Sequence, residues 1–302
     1  MDSIDRFLEL LDIKTSIDVF CSFKAPYLIE HQQAEKGTAY FHLLLEGSCD
    51  MHSAQQTYHL QAGDFCLWTQ GGKHHIGHQA SQEPLQLEQQ NGISYRHNCT
   101  TDPTLQMLCG HYQATNHAAA GLLKLLPEPL IVSLKDIPQL QALSSLIHQE
   151  ALARHLGSAT AIKAMCELLL LFALRHLTEL PQQQNLIGLF SDPSLSKVMT
   201  TILEDLSISY TTEELANIAY LSRATFARKF HQATGMGIQT LIRILRMSLA
   251  AKLLMQSHLS LTQIMEKVGY QSETAFHDAF KAQFGITPAR YRKRLQLTSS
   301  PP

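Results

Sequence analysis

The 302-residue sequence has no apolar stretch long enough to cross a membrane. Its longest unbroken apolar run, residues 168–174, falls far short of the roughly 20 residues a spanning helix needs. It has no Cys-x-x-Cys pair, which argues against a structural zinc knuckle. Its opening residues, Met1-Asp2-Ser3-Ile4-Asp5, are acidic and lack the cationic start of a secretory signal. The cytoplasm is the expected compartment, and no membrane partner is expected. Net charge is also small, −2 overall, but it is unevenly divided. Residues 195–302 carry 13 Lys+Arg against 7 Asp+Glu, or +6; residues 1–194 carry 11 against 19, or −8. A basic C-terminal third suits a polyanionic partner, and an acidic remainder does not. All six cysteines (21, 49, 66, 99, 109, 166) and 13 of the 16 histidines lie in the acidic part. Scattered cysteines in a cytosolic protein are ordinarily buried small apolar residues.

The chain is long enough for two domains with cores of their own. The polar, helix-breaking stretch from Pro181 to Asn185 follows a strongly apolar helical pattern. It places a linker over 181–190, between domains at 1–180 and 191–302. A helix start at Ser191-Asp192-Pro193 opens the second domain. The first ~115 residues read as β. Residues 40–46 form a compact strand closed by Gly47, and residues 57–60, 65–69 and 105–109 are further strands. Short strands with Gly-centred turns suggest a small barrel or sandwich. Leu140, Leu143, Ile147 and Ala151 space a first helix; residues 159–177 form a second, apolar on more than one face. Its spare face would either meet a second subunit in a homodimer or be buried within the same domain. The fold class is α+β, with a β-barrel plus helices followed by an all-α domain.

That all-α domain contains a repeat. Ser222, Phe226, Phe230 and Gly235 recur fifty residues later as Ser272, Phe276, Phe280 and Gly285. Each copy opens with a capping box, Thr211 with Glu214 and Ser260 with Gln263. A short apolar helix, a turn and a second helix capped by serine follow, which is helix-turn-helix twice. Phe226 and Phe230 share one helix stripe and belong to the core. At 100° per residue, Ala224 and Arg228 fall on the opposite face, flanked by Thr225, Ala227 and His231, with Arg223 at the phosphate-facing start. In the second copy Thr274 and Asp278 fall on that face, flanked by Ala275, His277 and Lys281, with Ser272 as the cap and a candidate DNA contact. Between the copies, residues 238–257 form a helix about 30 Å long. Successive major grooves on one face of DNA lie about 34 Å apart, so this spacer can hold two reading helices in adjacent grooves.

The residues from Leu215-Ala216 to Gly235, Arg246-Met247, Val268-Gly269-Tyr270-Gln271-Ser272, and Phe284-Gly285-Ile286-Thr287-Pro288 resemble the AraC/XylS family of bacterial transcription regulators. The resemblance implies promoter DNA and RNA polymerase as partners, and an activator. Three positions depart from the family's pattern. Tyr220 stands where the turn usually has glycine or a small polar residue, and Met265 replaces an alanine. Asp278 replaces a basic residue at the position of Arg228, so the second unit should grip DNA more weakly than the first.

Tyr40-Phe41-His42, Glu46-Gly47, Gly63-Asp64, Gly71 and His74 resemble the cupin sensor domain of some AraC-family members. Strand alternation puts His42 on the face shared with Tyr40 and Leu44, which points inward in a cupin. His42 and His74 are the candidate ligands of a transition metal, zinc or similar. His75 and His78 are expected at the surface, though either could supply a third ligand. The enzymatic cupin set, H-x-H with a downstream Glu, is missing from the first motif, so no catalytic residues are assigned. Ile17-Asp18-x-x-Cys21 and Cys109-Gly110 resemble reactive-chlorine-responsive regulators of this subfamily, which implies redox sensing through Cys21 and Cys109. The alternatives are inert buried thiols, a small-molecule-responsive catabolic regulator, a cupin enzyme with a DNA-binding tail, and a barrel that only dimerises.

Overall fold

A computed structural model describes residues 3–77, 85–99, 101–135, 137–179 and 187–298. The strands are β1 (Ile13–Phe23), β2 (Ile29–His31), β3 (Thr38–Ser53), β4 (Thr57–Gln61), β5 (Asp64–Trp68), β6 (His74–Ile76), β7 (Gln86–Gln90), β8 (Ile93–His97), β9 (Leu105–Ala114) and β10 (Leu130–Ser133). The helices are α1 (Ser3–Leu11), α2 (His117–Leu123), α3 (Pro138–Ala153), α4 (Ser158–Glu179), α5 (Gly188–Ser191), α6 (Pro193–Glu204), α7 (Thr212–Ile218), α8 (Arg223–Thr234), α9 (Ile238–Gln256), α10 (Leu261–Lys267), α11 (Glu273–Phe284) and α12 (Pro288–Thr298). None of them is long and apolar enough to cross a membrane.

The chain divides into two compact units. One is Ile13–Gln113 with Pro127–Leu174; the other is Met1–Asp12, Ala114–Leu126 and Arg175–Pro302. This division does not follow a single cut at the expected linker, of which residues 181–186 lie outside the described ones. Segments 1–12 and 114–126 group with the helical unit although they precede that linker in sequence. Within the helical unit, Arg6 donates to the carbonyls of Leu203 and Glu204 at the end of α6, Lys252 on α9 donates to the Glu9 carbonyl, and Phe7 packs on Phe190.

The β unit orders its strands β10-β5-β3-β9-β1-β8-β7, with β2, β4 and β6 joined through β3. β3 organises it. Residues 38–47 pair with β9 and residues 40–43 with β5, while residues 48–53 pair with β4 and β6. The strand changes partners at a bulge between Leu44 and Glu46. Gly47 sits there at φ +78, where an added Cβ would strike the Thr104 carbonyl. The expectation that Gly47 closes the strand is therefore corrected: it re-aims a strand that continues for six more residues. Inward residues of alternate positions, Cys21, Leu44, Met51, Cys66, Trp68, Met107 and Cys109 among them, form one apolar interior.

In the helical unit α9 runs between the two repeats. Asp192 caps α6 by accepting from the backbone of Ser194 and Leu195, with Pro193 in the first turn, as the sequence indicated. Met247, Ala250, Ile264, Val268, Phe276, Phe280 and Tyr291 form the core of the second repeat.

Candidate functional site: a nucleic-acid interface and a histidine–thiol cluster

Both repeats fold as helix-turn-helix. Both capping boxes close reciprocally, Thr211 with Glu214 and Ser260 with Gln263. Ser222 accepts from the Thr225 backbone at 3.2 Å, and Ser272 from that of Ala275 at 3.4 Å. Phe226 and Phe230 are buried with ring centroids 5.9 Å apart, and Phe276 and Phe280 repeat the arrangement at 5.9 Å. Both reading helices end at a left-handed glycine, Gly235 and Gly285.

On α8 the residues Arg223, Ala224, Ala227, Arg228 and His231 are exposed, together with the cap Ser222; Thr225 is half-buried. On α11 Thr274, Asp278 and Lys281 are exposed with the cap Ser272, while His277 is half-buried and 3.9 Å from Glu273. Asp278 makes no ion pair among the described residues, so neither Lys281 nor an arginine neutralises it there. The turns differ. Counted from each capping box, the residue at left-handed φ is Tyr220 (φ +56) in the first copy and Gly269 (φ +74) in the second. Tyr220 is 82% exposed, and Lys197 lies over its ring at 4.6 Å. A Cβ on Gly269 would sit 2.4 Å from the Ser207 carbonyl oxygen and against the Arg246 guanidinium. Arg246, on α9, donates to the carbonyls of Leu206 and Ile208 at 2.8 Å each and reaches that of Gly269 at 3.4 Å. One side chain thus holds the approach to the first copy and the turn of the second.

The barrel interior holds a different cluster. His42 on β3 is directly opposite Cys109 on β9, and His31 on β2 is directly opposite His74 on β6. The candidate ligand nitrogens of His31, His42 and His74 lie within 4.8 Å of one another. His42 Nε2 and His74 Nε2 are 2.8 Å apart, His42 Nδ1 is 3.2 Å from Cys109 Sγ, and His74 Nδ1 is 2.7 Å from the Gly72 carbonyl. The His74 ring is sandwiched between His31 (4.6 Å, 9°) and Trp68 (4.4 Å, 4°). His31 Nε2 is buried without a hydrogen-bond partner. Burial pushes His31 down to about 4 and His74 to about 3, and holds His42 well below the ordinary histidine value, so all three are neutral.

Cys21 and Cys109 are buried in the same apolar interior, and the neighbouring Cys21 side chain together with burial raises the Cys109 thiol well above its ordinary value. Burial also raises Cys49 and Cys166, each to about 12. None of the six cysteines forms a disulfide. The sequence assignment of His42, His74, Cys21 and Cys109 put four residues in one contiguous cluster. It missed His31. His75 does not join this cluster: it alternates to the other face of β6 and stacks on His52 at 4.7 Å. His78 lies outside the described residues. Three imidazoles, a thiol beside one of them and no carboxylate make a donor set suited to a transition ion rather than calcium or magnesium.

A cupin family model matches residues 2–179, and a helix-turn-helix domain model matches residues 215–294. An HTH-type transcriptional regulator of Haemophilus influenzae, uncharacterized, is 32% identical over 98% of this chain and 100% of its own. The chain belongs to the AraC family of transcriptional regulators with an N-terminal cupin domain. The RCS-specific HTH-type transcriptional activator RclR of Escherichia coli is 26% identical to this AraC-family regulator, over 98% of one chain and 99% of the other. The DNA-binding domain of AdpA, solved with a target DNA, matches 36% of the regulator and 96% of that chain at 32% identity, with a TM-score of 0.34. Both of these full-length relatives are named as transcriptional regulators, which removes the reading of a cupin enzyme with a DNA-binding tail.

Proposed function

We propose that the regulator is a transcription activator that binds promoter DNA as a homodimer, engages RNA polymerase there, and changes state when an oxidant reaches Cys21 and Cys109. The observation that carries the oxidant reading is the burial of both thiols in one apolar interior of the barrel, with Cys21 acting on Cys109 as its neighbour. Two thiols brought together can lose two protons and two electrons to a two-electron oxidant and form one S–S bond. The name of the E. coli relative, an RCS-specific activator, supports the same reading and the direction of regulation.

DNA is met by Ser222, Arg223, Ala224, Thr225, Ala227 and Arg228 in the first unit and by Ser272, Thr274, His277 and Lys281 in the second. The exposure of these helix faces and the basic balance of the C-terminal third support this assignment. Dimerisation falls to the helices of the barrel unit, where Leu146, Leu152 and Leu168 are about half exposed on α3 and α4. A transition-metal ion, zinc or similar, is the cofactor that His42 and His74 would hold in the barrel.

The test is a mobility-shift assay with the regulator's own promoter region across a salt series. Salt-dependent binding is expected, and it changes when the protein is oxidised. Cys21→Ser and Cys109→Ser should each abolish the oxidant response while leaving binding by the reduced protein intact. An unaltered response in both variants overturns the thiol reading; absence of binding at low salt overturns the DNA reading.

A further inference from the structure

The hydrogen bonds around His42 fix where each proton sits. The Gly72 carbonyl can only accept, so His74 donates to it through Nδ1–H. A neutral imidazole carries one proton, so His74 Nε2 is the acceptor in its contact with His42. His42 therefore donates through Nε2–H, its Nδ1 carries a lone pair, and the Cys109 S–H donates to it. Protons point in one direction along a chain from Cys109 through His42 and His74 to Gly72. Beside that chain, His31 Nε2 stays buried and unpaired.

A metal ion needs the opposite arrangement. Three neutral imidazoles bind one ion only when each presents a lone pair to it. His74 and His31 can do so at Nε2 without changing their other bonds. His42 cannot, because its Nε2 carries the proton. Loading an ion moves that proton to Nδ1, where it faces Cys109 Sγ. Cys109 then turns from donor to acceptor, and its own S–H swings to Cys21.

We propose that His31, His42 and His74 bind one divalent transition-metal ion with His31 as the third ligand, and that ion uptake and the Cys21–Cys109 thiol state are linked through the reversal of the His42–Cys109 hydrogen bond. The proposal rests on the reading that the barrel holds a transition ion and names how that site is regulated. The sign follows from counting bonds. With thiols reduced, the empty site keeps the S–H to Nδ1 bond and the filled site keeps an N–H to sulfur bond. In the disulfide the S–H is gone, so the empty site loses its bond, while the filled site retains a sulfur acceptor. Oxidation thus weakens the competitor of the ion. One neutral hydrogen bond corresponds to about a fivefold change in affinity, so oxidised protein should hold the ion about fivefold more tightly. By reciprocity the ion favours the disulfide by the same factor, about 20 mV for two electrons.

The experiment titrates full-length protein with Zn2+ against a chromogenic chelator, with thiols reduced and after diamide, which takes up the two hydrogens the thiols lose. One ion per chain is expected, bound about fivefold more tightly after oxidation. His31→Ala should weaken binding at least tenfold, and Cys21→Ser should bind zinc but show no diamide effect. Because His31→Ala could perturb folding, 15N-histidine NMR of the parent protein gives a second readout: zinc should move the His42 proton from Nε2 to Nδ1. No zinc binding by the parent overturns the barrel-ion reading itself. Zinc binding that is indifferent to His31→Ala, to diamide and to the His42 tautomer leaves that reading standing and overturns the linkage.

Discussion

The two helix-turn-helix units share a scaffold and differ wherever the scaffold does not constrain them. Their buried phenylalanines repeat with the same 5.9 Å ring separation, and their capping boxes close in the same way. Their exposed faces diverge, with Arg228 in one and Asp278 in the other. The turns show why divergence is allowed at one point and forbidden at another. Both require a left-handed residue. In the first copy the space beyond it is solvent, so a tyrosine carries the strain and rests under Lys197. In the second the Ser207 carbonyl and Arg246 occupy that space, and only glycine fits. The same backbone need is thus met by different residues according to crowding.

Truncating the cores tests the shared scaffold most severely. Phe226→Ala and Phe276→Ala should each cost about 3–5 kcal/mol, seen as similar losses in urea unfolding. A large inequality would mean that the copies are not equivalent supports. The turns come next. Gly269→Ala should cost about 1–2 kcal/mol for the left-handed backbone alone, and more for the collision with Ser207. Tyr220→Gly should stay within about 1 kcal/mol of the parent, since relief of strain offsets the lost Lys197 contact. Equal costs at the two turns would remove the crowding argument.

The DNA-facing difference is read in binding. Arg228→Ala should weaken promoter affinity by about 10–100-fold, whereas Asp278→Arg should tighten it several-fold and steepen the salt dependence. Unchanged affinity in Asp278→Arg would show that the second unit does not meet DNA through this face. The smallest effect is expected at the caps. Ser222→Ala should cost about 1 kcal/mol by thermal unfolding, and Ser272→Ala less, because its bond is 0.2 Å longer.

The helical unit was largely legible in the sequence because its signals are local. Thr211 and Glu214 are three residues apart, and the phenylalanines lie four apart on one stripe, so short-range rules reach them. The barrel was legible only in part. His42 and Cys109 were named from motifs, but their contact depends on the pairing of β3 with β9, 67 residues apart. His31 was missed because it ends a three-residue strand in the polar stretch Ile29-Glu30-His31-Gln32-Gln33, where no alternation marks an inward face. Only its pairing with His74 on β6 makes it part of the cluster. Gly47 misled for a related reason. A glycine that ends a strand and one that bends it look alike until the partner strands are known.

Arg246 has a consequence for how the two units work together. By gripping the carbonyls of Leu206, Ile208 and Gly269 from one side chain, it couples the support of both reading helices. If the proposed DNA contact is made, a first helix seated in its groove would present the second as a tethered group, at an effective concentration of order millimolar. A unit too weak to bind alone then still adds avidity. On that reading an acidic residue at position 278 would be tolerated, because a head delivered by its neighbour needs little attraction of its own.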